Sequence, residues 1–176
     1  MEEIEKFLIS ILIVNVKGQL GKIASFCGDN NLNILRLVLA AADRDDKIQR
    51  IIAYVEGKRE DAEIVCEKLK NFDENTLKVT NFLTKDQYIE KELALIKVTM
   101  TNPSANKVMN LINTKDGKII FSNQSIMVFK IEETEDNMNE IVNNLTDITK
   151  DIEVSRSGMV VMALNDHIDD IMISNL

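Results

Sequence analysis

The chain has 176 residues, 45% of them hydrophobic and 28% charged, a balance typical of folded globular domains rather than disordered segments. With 21 Lys and Arg against 29 Asp and Glu, its formal charge is -8, which argues against nucleic acid or an anionic membrane as main partner. A single histidine (His167) and two cysteines on apolar helical faces (Cys27 and Cys66) offer neither a metal set nor a disulfide framework, so both thiols are expected to be buried and free.

Phe7 to Val16 is a run rich in Ile, Leu and Val, apolar on both faces, which predicts a central strand of a covered sheet. It is far shorter than the roughly 20 residues of a membrane span, and the acidic start Met1-Glu-Glu-Ile-Glu-Lys6 is unlike a signal peptide, so a cytoplasmic protein is expected. The run turns at Gly18 into a helix whose apolar positions, Leu20, Ile23, Ala24 and Cys27, recur at spacings of three, four and seven. Gly28-Asp-Asn-Asn31 ends that helix. A second strand is predicted over Leu32–Ala42 and a third over Ile48–Glu56, joined by the charged turn Asp43-Arg-Asp-Asp46. Lys58–Asn71 repeats the helical pattern with Ala62, Val65, Cys66 and Leu69, and Thr76–Leu83 alternates like a half-buried fourth strand. Strand, helix, strand, strand, helix, strand is the split βαβ, or ferredoxin-like, order.

Residues 84–90 are polar and read as a linker, after which the order begins again. Leu93–Met100 is a strand. Pro103 suits the first turn of a helix over Ser104–Asn113, with Val108, Met109 and Ile112 inward. Lys118–Phe121 and Ser125–Ile131 are two strands. Thr134 is placed to cap a helix carrying Met138, Ile141, Val142 and Leu145, and Asp151–Leu164 closes the unit. The predicted fold class is α+β: two tandem ferredoxin-like βαββαβ domains over residues 1–83 and 91–164, the 84–90 linker, and a tail over 165–176. Sliding one half onto the other by 85 positions aligns Leu8 with Leu93 and Ile23 with Val108, a modest sign of duplication, but sets Gly18 on Pro103.

No catalytic constellation emerges. A nucleophile elbow, a Walker glycine loop, His-Glu-x-x-His and Cys-x-x-Cys are all missing from the sequence. Its paired carboxylates (Glu132/Glu133, Asp45/Asp46, Asp169/Asp170) sit in turns and helix starts, where solvated or dipole-favoured carboxylates are the rule. The turn before the first helix is more informative. The amides of Lys17, Gly18, Gln19 and Leu20 lie at a helix N-terminus, where no intrahelical acceptor exists and a carboxylate is favoured. The carboxamide oxygens of Asn15 and Asn33, placed at the two strand ends beside the turn, are candidate acceptors for an ammonium group. On residue chemistry alone two readings stand: a receptor for a small zwitterion, or a plain strand-to-helix turn with Asn15 as an Asx cap.

Ser10-Ile-Leu-Ile-Val-Asn15-Val-Lys-Gly18-Gln-Leu20 resembles the opening of an ACT domain, the ligand-sensing module of amino-acid metabolism, and in particular that of the acetolactate (acetohydroxyacid) synthase small subunits. Leu32-Asn33-Ile34, Lys91-Glu92-Leu93 with Ile96-Lys97-Val98, and Ile152-Glu-Val154-Ser-Arg156-Ser-Gly158 resemble three further motifs of that family, in order, over about 160 residues. The resemblance implies a non-catalytic regulatory subunit with an N-terminal ACT domain and no cofactor of its own. It implies a homodimer through the ACT domains, with valine or another branched-chain amino acid at the dimer interface. Asn15, Gly18 and Asn33 match the family's effector residues, and together with the turn amides of Lys17, Gln19 and Leu20 they make up the expected effector site. A separate catalytic large subunit is implied as partner, carrying thiamine diphosphate, magnesium and FAD. A free-standing tandem ACT sensor, controlling another enzyme or a transcription factor, is the alternative.

Overall fold

The computed structural model describes residues 4–82, 85–100, 102–149 and 151–164; the expected tail, with His167 and the Asp169/Asp170 pair, lies outside them. The chain divides into two compact units, Met1–Ile89 with Val161–Leu176, and Glu90–Val160.

In the first unit, β1 (Glu5–Val14), α1 (Gln19–Asp29), β2 (Asn33–Ala41), β3 (Ile48–Gly57), α2 (Arg59–Lys70) and β4 (Thr76–Phe82) form a four-stranded sheet in the order β2-β3-β1-β4. All neighbours run antiparallel. β1 is central, and Phe7 through Ile13 are all buried. Its odd-numbered residues, Phe7, Ile9, Ile11 and Ile13, meet Ile23 and Cys27 of α1 and Ala62, Val65, Cys66 and Leu69 of α2 in one core. The even ones, Leu8 and Leu12, are buried on the opposite face, where the buried Ser10 hydroxyl accepts a 3.0 Å bond from Arg50. α2 buries the four residues its spacing predicts, whereas α1 buries Ile23 and Cys27 fully and leaves Leu20 and Ala24 half-buried. Phe26, outside the predicted stripe, packs on Phe72 with ring centroids 4.8 Å apart. Both thiols are free and buried, and burial, with Cys27 nearby, pushes the Cys66 thiol up to about 12.

The second unit repeats the order with β5 (Tyr88–Thr99), α3 (Asn102–Thr114), β6 (Lys118–Ser122), β7 (Ile126–Glu133), α4 (Glu135–Ile148) and β8 (Ile152–Arg156), its strands ordered β6-β7-β5-β8. Ala94, Ile96 and Val98 of β5 alternate inward against Val108 and Ile112 of α3 and Met138, Ile141 and Leu145 of α4. The fold is therefore α+β with two βαββαβ units. Of the expected linker, residues 85–90 are described and hold a 3-10 turn over Lys85–Gln87 and the first residues of β5. Residues 151–164, expected to close the unit, hold two strands: Gly158, at φ 77° in the left-handed region, follows β8 and lets the chain leave as β9 (Val160–Ala163), which pairs with β5. Thr134 stands at the N-cap of α4, but its hydroxyl makes no cap bond; the Glu133 carboxylate takes the Thr134 amide at 3.3 Å and the Asn137 carboxamide at 3.1 Å.

Arg156 ties this unit together. Its guanidinium donates from two nitrogens to the Glu92 carboxylate, almost wholly buried on β5, and from the third to Asn139 of α4 at 2.7 Å. Removing one partner strands a buried charge, which typically costs 3–5 kcal/mol, whereas apolar residues at both positions are tolerated far better. Arg156→Met is therefore expected to destabilise the protein by about 3–5 kcal/mol, and Glu92→Leu/Arg156→Met by much less, as read by urea unfolding.

Candidate functional site: the glycine turn at the mouth of the first helix

β1 hands the chain to α1 through Asn15-Val-Lys-Gly18. The end of β1 is pinned from two sides: the Val14 amide donates to the Asn75 carbonyl at 2.8 Å, and the Asn15 amide to the Lys47 carbonyl at 2.7 Å. The Asn15 carboxamide nitrogen donates to the Asp46 carbonyl at 2.7 Å, so Asn15 brackets the β2–β3 turn. Gly18 is the N-cap of α1 at φ 82°, ψ -4°, a conformation that disfavours residues with a side chain. A Cβ placed on it would meet nothing within 4 Å, so the space in front of the turn is open. The Gly18 carbonyl accepts the Lys22 amide at 3.0 Å, starting the helix.

Of the four amides expected to be available, Gln19 donates to the Val16 carbonyl at 3.2 Å. Those of Lys17, Gly18 and Leu20 donate to no acceptor among the described residues. Lys17 and Gly18 are exposed and Leu20 is half-buried. Three unpaired donors at the positive end of an 11-residue helix form a cradle suited to a carboxylate. A cavity of about 520 Å³ lies elsewhere, between α2 and β4, lined by Glu63, Cys66, Lys78 and Asn81 among others.

The sequence reading set Asn33 beside this turn, and the register corrects that placement. Val14 pairs with Ile48 at one end of β3, and Asn33 with Glu56 at the other. At about 3.3 Å per residue the eight steps between them span roughly 26 Å. The reason is topological: α1 carries the chain back along the sheet, so β2 starts where β1 started. Asn15, Lys17, Gly18, Gln19 and Leu20 are thus brought together in one chain, and Asn33, exposed at the start of β2, is not.

Sequence reasoning missed Asp73. It lies in the α2–β4 loop and accepts both Nε2 contacts of Gln19 at 2.9 Å, the Asn75 amide at 3.0 Å and the Thr76 hydroxyl at 3.0 Å, with Lys22 Nζ at 3.8 Å. Desolvation raises the Asp73 carboxyl, but the bonds from Gln19, Thr76 and Asn75 and the Lys22 charge outweigh it, and the net shift is below its ordinary 3.8. A carboxyl depressed in the folded state adds stability above its unfolded pKa and loses it as the pH falls through the folded value. The stability advantage of the parent over Asp73→Asn is therefore expected to be constant at neutral pH and to shrink below about pH 4, as read by urea midpoints along a pH series.

Among the described residues no group of three His, Cys, Asp or Glu side chains could hold a metal ion, and no helix is long and apolar enough to cross a membrane. Residues 91–165 match the family described as the small subunit of acetolactate synthase. The chain is 26% identical to the acetolactate synthase small subunit of Buchnera aphidicola over 158 residues, covering 90% of this chain and 98% of that protein. It is 26% identical to the probable acetolactate synthase small subunit of Archaeoglobus fulgidus (89% and 96% covered) and 24% identical to the isozyme 3 small subunit of Escherichia coli (92% and 97%). The crystal structure of the Thermotoga maritima acetolactate synthase small subunit shares its fold, with a TM-score of 0.79 at 24% identity over 90% of this chain and 97% of that one. The match over the second unit, and relatives at 24–26% identity that align over about nine-tenths of this chain, make it similar to acetolactate synthase small subunits.

Proposed function

We propose that this protein is the regulatory subunit of acetolactate synthase, that it raises the activity of the catalytic large subunit, and that it confers feedback inhibition by valine or another branched-chain amino acid held at its glycine turn. Thiamine diphosphate, magnesium and FAD belong, on this reading, to the large subunit. The similarity to acetolactate synthase small subunits supports the regulatory role. The observation that carries the sensing role is the set of unpaired amides at Lys17, Gly18 and Leu20, open to an incoming group because Gly18 has no side chain.

The separation of Asn33 from the turn supports a site shared between two copies. β2 is an edge strand with Leu35 38% and Leu39 40% exposed, and an apolar edge of nine residues is a template for pairing with another strand. Two β2 strands paired antiparallel about Leu37 bring Asn33 of one copy level with Ala41 of the other. Ala41 pairs with Gln49, and Gln49 with Ile13, beside the turn. The carboxylate of the bound amino acid then rests on the amides of one copy, and its ammonium on the Asn33 oxygen of the other. Its aliphatic side chain meets Val16 and Leu20. Binding favours one arrangement of the dimer, and the large subunit, docking differently on the two arrangements, senses it through a coupling free energy of ~1–3 kcal/mol.

Titration calorimetry of the protein with valine, leucine and isoleucine is expected to give saturable binding for at least one, and Gly18→Asp, which sets a carboxylate in the cradle, is expected to abolish it. Binding retained by Gly18→Asp rules out the turn as the site. Mixed with purified large subunit, the protein is expected to increase acetolactate output; no increase refutes the activating role.

A further inference from the structure

Gln19 is the first residue of α1 and only 1% exposed. Its carboxamide nitrogen donates to the Asp73 carboxylate, lying 2.9 Å from both oxygens, which fixes the orientation of the amide. Its carboxamide oxygen is buried with no partner. Asp73 is itself immobilised: the Asn75 amide and Thr76 hydroxyl hold the carboxylate, and the Asn75 carbonyl takes the amide of Val14 at the end of β1. The mouth of α1 is therefore tied through one side chain to a loop that is fastened to both β1 and the start of β4.

Packing does not explain a glutamine here. An aliphatic side chain would fill the same buried volume without an orphaned oxygen, and a buried acceptor with no donor is a departure that calls for a role beyond stability. The geometry points to that role: Gln19 is a positioning residue of the amino-acid site. Held by Asp73, its side chain fixes the orientation of the Gly18–Gln19 peptide and with it the aim of the Lys17, Gly18 and Leu20 amides. It touches no ligand atom, since its own amide is engaged by Val16 and its side chain is covered. This inference rests on the reading of the turn as a branched-chain amino-acid receptor.

Three variants test it, with valine affinity by calorimetry and the thermal midpoint measured on each. Gln19→Leu removes the bond to Asp73 and the orphaned oxygen together; its midpoint is expected to equal or exceed the parent's while valine binds about tenfold more weakly. Gln19→Glu sets two carboxylates against each other and is expected to weaken binding at least as much. Gln19→Glu/Asp73→Asn restores a carboxamide-to-carboxylate bond with its direction reversed, and is expected to return affinity to within about threefold of the parent. Unchanged affinity in Gln19→Leu, or failure of the reversed pair to recover binding, overturns the positioning role while leaving the receptor intact. A parent protein that binds no valine, leucine or isoleucine overturns both.

Discussion

The structure of the first unit depends on a strand that is paired along both edges and buried on both faces. β1 contributes Phe7, Ile9, Ile11 and Ile13 to the helix side and Leu8 and Leu12 to the other, and every position from Leu8 to Ile13 has a partner in β3 and β4. At roughly 25 cal/mol per Å² of apolar surface, such a strand is the largest concentration of burial in the unit. Its end is consequently a fixed point. The glycine turn hangs from that fixed point, and the bonds of Val14 to Asn75 and of Asn15 to Lys47 extend the rigidity past the last paired residue. A cradle of backbone amides works only if its donors are held before the ligand arrives, because ordering them on binding would cancel part of the gain.

The same topology that builds the glycine turn separates it from Asn33 within one chain. An α-helix crossover returns the polypeptide to the starting edge of the sheet, so residues at the mouth of α1 and at the head of β2 face opposite ends. In a four-stranded unit of this order the two outer strands are β2 and β4, and β2 carries the more apolar edge. A symmetric partner on β2 answers two needs at once on the proposed reading, covering that edge and supplying the missing asparagine. The second unit has the same strand order but no glycine before its first helix, where Pro103 lies in the first turn instead. Proline starts a helix well and donates no amide, so this position differs from Gly18 in what it can offer.

Much of this was legible in the residues. Helical spacing located α2 and its four buried positions, and the run from Phe7 onward announced a covered central strand. Two kinds of feature were not legible. The break at Gly158 gives no sign in the sequence until its left-handed φ is known, because glycine is tolerated in strands as well as turns. Asp73 and Gln19 are 54 positions apart, and no local pattern links a polar residue at a helix start to an acidic residue in a distant loop. Asn33 was misplaced for a related reason: motifs give residues in order along the chain, and only the strand register says which end of the sheet each one reaches.

The thiol of Cys66, at about 12, stays protonated across the pH range in which proteins of this kind are handled, and Cys27 beside it is buried too. Neither sulfur is a nucleophile while α1 and α2 lie on the sheet, since the thiolate is the reactive form. A thiol reagent therefore modifies them only when a helix lifts away, and the rate of labelling becomes an intrinsic clock for the breathing of the first unit, read without adding any foreign probe.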